Sequence, residues 1–279
     1  MDTKKKSLKK CLVGVTLAAF VGCTAGSKNQ SSRELRVLTW SDYLVPEVMA
    51  EFEQENSAKI KLDYFSSNEE LLAKVQTSVQ AGGKGYDVIF PSDYMVGNMK
   101  MLKLLAPIDK TKISAIESFM TTFREPSYDP KLEHSVPFSW GTTGLAFNKK
   151  LLGAMDVQKM NISWKEFFES PSWAKQIAVL DDSKEVLHAA LLSLGKKWGD
   201  VSEASVKEAF EYLKTQKKNL KLFAAQAQVP LENGECTLCQ AFSGDAIRVM
   251  GIKSEVGYLI PKEGATIWSD NLAIPVNSA

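Results

Sequence analysis

Along residues 35–94 the apolar positions alternate between a period of two and a period near 3.6, so strands and helices take turns. The run 35–40, Leu-Arg-Val-Leu-Thr-Trp, has strand composition. Pro46 then suits the first turn of a helix through Asn56, with Val48, Met49 and Phe52 at helical spacing. Residues 59–64 alternate strictly and predict a strand with one wet face. Ser67-x-x-Glu70 reads as a capping box opening a helix that carries Leu71, Leu72, Val75 and Val79 and closes at Gly82-Gly83. Residues 86–90 predict a buried strand, stopped by Pro91. A second block opens near residue 145. Ser163-x-x-Glu166 caps a short helix with Trp164, Phe167 and Phe168, and residues 177–180 form a strand. Asp182-x-x-Glu185 caps a helix with Val186, Leu187, Ala190, Leu191 and Leu194, and another helix covers about 203–217. Residues 220–223, 237–242 and 256–260 are further strand candidates. This order predicts two α/β lobes with parallel pairing.

The start of the chain breaks the pattern. Residues 1–22 hold Lys4, Lys5, Lys6, Lys9 and Lys10 against Asp2 alone, a segment charge of +4. The whole chain carries +1, so the remaining 257 residues carry −3. The apolar run that follows the lysines is 12 residues long, short of the about 20 needed to cross a bilayer, and reads as the core of a signal peptide. Phe20-Val-Gly-Cys23 resembles a bacterial lipoprotein box, with Cys23 the residue to be lipidated; Phe20 stands where such boxes usually have Leu. Residues 23–33 are polar and suit a tether. An exported chain anchored to a membrane through Cys23 is the expectation.

Composition removes other classes. With 34 basic against 33 acidic residues there is no global field for DNA or RNA, so recognition must be local. Cys236 and Cys239 invite a metal or redox reading, but there is no second pair and only two histidines, His134 and His188. On a strand their side chains point to opposite faces, so they read as small apolar residues. Those two histidines, without a nucleophile elbow or a phosphate loop, argue against an enzyme, and no cofactor is expected.

Five segments then occur in one order: Trp40-Ser-Asp-Tyr43, Tyr86-Asp-Val-Ile-Phe-Pro-Ser-Asp-Tyr94, Trp140-Gly-Thr-Thr-Gly-Leu-Ala-Phe-Asn148, Leu180-Asp-Asp-Ser-Lys-Glu185 and Trp268-Ser-Asp-Asn-Leu-Ala-Ile-Pro275. Together they resemble the spermidine/putrescine-binding proteins of bacterial ABC importers, from about residue 35 to the end. The resemblance implies a type II periplasmic-binding-protein fold, with lobe 1 at 34–144 plus 270–279 and lobe 2 at 145–269. It further implies a monomer that closes over a polyamine and delivers it to a membrane permease. Trp40, Ser41, Tyr43, Ser92, Tyr94, Asp182, Glu185, Trp268 and Asp270 match ligand-contacting positions of the family. Phe242 stands where the family usually has Trp. Family members continue for several helices beyond this point, so the sequence reads as a fragment or a degraded gene.

The residues suit that ligand class independently. A polyamine asks for carboxylates at its ammonium groups and aromatic walls along its methylenes, and each cation–aromatic contact contributes about 0.5–2 kcal/mol. The candidates follow strand ends, the usual ligand position in open α/β sheets. Each also has a structural reading: Asp182 and Glu185 as a helix cap, Trp40, Tyr43 and Tyr94 as core residues. Two carboxylates at one helix start exceed what capping needs, which favours a cationic ligand. Asp93 and Asp245 are secondary candidates; Trp164, Trp173 and Trp198 read as packing. Ferric iron on Tyr43, Tyr94 and Asp93, an anion on helix N-termini, or a sensor of the same fold are the other readings.

Overall fold

Strand β1 (Arg33–Trp40) opens the folded unit and pairs in parallel with both β2 (Ala58–Phe65) and β3 (Val88–Ile89). The computed structural model describes residues 33–278 except 42, 154–160, 198 and 226, and leaves out the side chain of 228. The export segment, the tether, Cys23 and Trp198 therefore lie outside the described residues. Helices α1 (Pro46–Asn56), α2 (Asn68–Gln80) and α3 (Asp93–Met101) follow the three strands, and a short α4 (Thr121–Arg124) comes before the crossing.

A 14-residue strand, β4 (Ser135–Asn148), carries the chain from the first block to the second; the sequence pattern places no strand there. The second block holds α5 (Trp164–Glu169), β5 (Ile177–Leu180), α6 (Ser183–Ser193), α7 (Glu203–Gln216) and β6 (Leu220–Ala224). It continues through α8 (Gln228–Glu232), β7 (Leu238–Phe242), α9 (Ser243–Ile252) and β8 (Val256–Leu259). Strand β9 (Thr266–Ala273) returns to the first block. The sheet runs β2-β1-β3-β9-β4-β7-β5-β6, with β8 also on β4. Pairing is parallel at both ends, as expected, but antiparallel wherever β9 or β4 takes part. A strand that crosses from one block to the other meets the returning strand head to tail, which is why the middle of the sheet reverses.

The buried apolar side chains divide the same way. One cluster gathers Leu38, Phe65, Leu71, Ile89, Met95 and Ala273. Two others draw on Phe147, Trp164, Phe167 and Trp173, and on Leu180, Leu231 and Val249. Two cores joined by β4 and β9 make a two-lobed α/β fold with its crevice at the crossing strands.

Local chemistry explains the boundaries, with four corrections. Ser163 and Glu166 form a reciprocal capping box at α5, each side chain taking a backbone N–H of the other. Ser163→Ala is expected to cost about 1 kcal/mol, read as a fall in Tm of about 2–4 °C. At α2 the box is only half made. Ser67 accepts from the Glu70 N–H, whereas the Glu70 carboxylate takes the N–H and hydroxyl of Ser66. Helix α1 begins at Pro46 as predicted, yet its apolar stripe is uncovered, with Val48 61% and Phe52 39% exposed. The predicted 86–90 strand shortens to β3, whose ladder with β1 covers only Val88 and Ile89 and which meets β9 only at Ile89↔Ala273. Finally, β7 begins after Cys236, so strand alternation does not separate the two cysteines. Both are free and buried in one apolar cluster, as expected of small apolar residues.

Candidate functional site

Strand β9 places Asp270 at the crossing. One side of its register meets β4, with Trp268 opposite Gly141 and Asp270 opposite Ser139; the other side bridges to Ser92. Asp270 is 3% exposed. Its carboxylate accepts a 2.6 Å hydrogen bond from the Ser92 hydroxyl and another, short one from the Tyr43 hydroxyl. Ser92 is fixed in turn by Asn68, whose side chain donates to its hydroxyl at 2.9 Å and accepts from its N–H at 3.0 Å. Three stretches of chain thus hold one carboxyl group.

Burial pushes the Asp270 carboxyl up to about 6, although the Ser92 and Tyr43 hydroxyls and the Lys184 ammonium favour its ionised form. Tyr43 is raised by its own burial and then by Asp270. Behind it Trp40 packs on Phe65 with centroids 4.3 Å apart and lies 6.4 Å from Tyr43. Trp40 is therefore packed against the first core while its ring also lies beside Tyr43.

Across the crevice, Asp182 caps α6 by accepting the Glu185 N–H at 3.0 Å. Glu185 makes no return bond to the cap; it turns inward and is 4% exposed, beside the hydroxyls of Thr143 and Thr266. Burial raises its pKa. Among the described residues, Glu185 Oε2, Thr143 Oγ1, and the indole nitrogens of Trp40 and Trp268 are buried without a hydrogen-bond partner. Buried polar atoms are ordinarily paired, so these four suit a polar ligand, although atoms of the same kind also occur away from the site, on His134, Tyr212 and Asn277. Trp268 meets Phe242 edge to face at 5.9 Å, so these two candidate residues are brought together.

Tyr94 lies farther along. Its hydroxyl donates to Glu69 at 3.1 Å, and Lys184 Nζ stands 4.2 Å from its ring centroid and 4.0 Å from Asp93. Asp245 is in the first turn of α9, near enough to Tyr43 to help raise its pKa. Ser41 is exposed at the turn after β1 and is the one candidate that the geometry leaves at the margin. Sequence reasoning missed Glu69, Lys184 and Phe138, the last packed 6.1 Å from Tyr43. Lys184 stood inside a quoted motif and could have been found there; Glu69 and Phe138 gave no local signal. A separate groove of about 610 Å3 between α6, α7 and β6 is lined mainly by apolar side chains and shares only Asp182 with this set.

The arrangement, two enclosed carboxyls beside aromatic rings, can bind an organic cation. The family model described as bacterial extracellular solute-binding protein matches residues 47–279. The chain is 27% identical over 275 residues to the spermidine/putrescine-binding periplasmic protein of Salmonella typhimurium, covering 98% of this chain and 76% of that one. It is 31% identical over 286 residues to the putrescine-binding periplasmic protein SpuD of Pseudomonas aeruginosa, covering 97% and 76%. Among solved structures, the Tp0655 (TpPotD) lipoprotein of Treponema pallidum aligns with a TM-score of 0.77 at 27% identity, over 88% of this chain and 76% of that one. The chain belongs to the bacterial extracellular solute-binding protein family, with a type II periplasmic-binding-protein fold.

Proposed function

We propose that this protein captures a polyamine, spermidine or putrescine, in the crevice between its lobes and hands it to an ABC permease. The observation that carries this reading is Asp270: a carboxyl enclosed at the lobe crossing, held by Tyr43 and Ser92, with Trp268 two residues away on the same strand. An ammonium group supplies the counter-charge that such a carboxylate lacks, and the names of the relatives agree. Lobe 1 comprises 34–144 with 270–279, and lobe 2 comprises 145–269. Residues 1–22 direct export, Cys23 carries the lipid that anchors the protein outside the cytoplasm, and the protein works as a monomer. Iron is disfavoured, because the Tyr43 and Tyr94 hydroxyls are engaged by different carboxylates, Asp270 and Glu69.

Titration calorimetry of the folded protein with putrescine and spermidine tests the reading. An ammonium binds the ionised carboxylate, and Asp270 titrates at about 6. Affinity is therefore expected to be full at pH 7.5 and to fall about tenfold by pH 5. No heat from either amine at pH 7.5 would sink the proposal.

A further inference from the structure

Lys184 is out of place by local rules. It is the second residue of α6, where the helix presents its positive end and acidic side chains are favoured. Its ammonium nevertheless turns into the crevice, 4.2 Å from the centre of the Tyr94 ring and 4.0 Å from Asp93 Oδ1, with its side chain only 31% exposed. It is also near enough to Asp270 and Glu185 to favour the ionised form of both. An alkylammonium lying over an aromatic face beside a carboxylate is the same chemistry that a polyamine terminus would offer. The chain thus places a cation of its own on one of the aromatic faces that the sequence assigns to ligand.

We propose that Lys184 is a built-in ammonium that fills the Tyr94–Asp93 end of the crevice and makes the site prefer a diamine over a triamine. The inference rests on the polyamine reading. A diamine reaches Asp270 and the wall formed by Tyr43 and Trp268 without disturbing Lys184. A triamine has one more ammonium to place, and the aromatic face and carboxylate that suit it are already taken. To bind fully extended it must displace the lysine from the Tyr94 ring and from Asp93.

The test compares putrescine with spermidine by calorimetry on the full chain, as wild type, Lys184→Met and Lys184→Arg. Met keeps much of the apolar stem without the charge, and Arg keeps the charge. Lys184→Met is expected to raise spermidine affinity relative to putrescine by about tenfold, and Lys184→Arg to hold the wild-type ratio. The shift should persist at about 0.5 M salt, where exposed charges are screened beyond roughly 4 Å. A general change of field would instead fade. If both amines bind and the ratio moves less than about threefold in folded Lys184→Met, or the shift vanishes with salt, the role of Lys184 is overturned while polyamine binding stands. If neither amine binds folded wild type, the polyamine reading fails and this inference fails with it. Should Lys184→Met not fold, Lys184→Gln makes the same comparison.

Discussion

Asp270→Asn is expected to weaken polyamine binding by about 100-fold or more while leaving the ligand-free protein at least as stable at neutral pH. The first half follows from burial: removing one member of an enclosed charge pair commonly costs about 2–5 kcal/mol, because the ligand's ammonium is then desolvated without a counter-charge. The second half follows from the proton balance. The Asp270 carboxyl titrates at about 6 in the folded protein and at about 3.9 in the unfolded chain. Between those values the native state holds more protons than the unfolded state. Ligand-free stability therefore falls as pH rises through that window, by ~3 kcal/mol once the group is fully ionised. A carboxamide carries no such penalty. Its oxygen can accept from the Ser92 hydroxyl, and its NH2 can donate to the Tyr43 oxygen, whose proton can turn to Ser139, so the local hydrogen bonds survive in rearranged form. Calorimetry would report the lost affinity, and urea melts from pH 4 to 7 would report the missing pH slope. A variant that binds within threefold of wild type would remove Asp270 from the site.

That prediction concerns a residue legible in the sequence, and the reason is local. Ser92 and Tyr43 follow predicted strands, and all three residues lie inside short segments whose order carried the family resemblance; the sequence pattern does not predict β9, the strand that holds Asp270. Strand ends and helix caps are set by near neighbours, so Pro46, Ser163 and Asp182 marked their helices correctly. The Ser-x-x-Glu spacing could not say which group the carboxylate would take. Glu166 closes its box, Glu70 turns to Ser66, and Glu185 turns into the crevice. The Lys184–Tyr94 contact joins residues 90 positions apart on opposite blocks, and no periodicity encodes it. The cysteine pair is buried and free, as expected of small apolar residues, but strand alternation is the wrong reason: Cys236 lies before β7 begins at Leu238.

The second large effect is expected from a residue with no side chain. Gly141→Ala should weaken polyamine binding by about 30-fold while the fold persists. Gly141 pairs with Trp268 across β4 and β9, and the indole lies over the bare backbone. A Cβ built there would stand 2.3 Å from Trp268 Cζ2 and 2.7 Å from Ser243 Oγ, closer than real contacts allow. The backbone of β4 is held by β9 on one side and β7 on the other, so it cannot readily retreat. The indole is the freer partner. It must swing off the strand, leaving Phe242 and taking the aromatic wall away from the carboxylate beside it. A buried Trp contact of this kind contributes about 2 kcal/mol to binding, which sets the 30-fold figure. Because the displaced ring faces the crevice rather than either core, far-UV circular dichroism should be unchanged and Tm should fall only slightly. Calorimetry with putrescine then separates the outcomes. Lost affinity in a folded variant identifies Trp268 as a ligand wall, whereas wild-type affinity would mean that the polyamine does not rest on Trp268 at all.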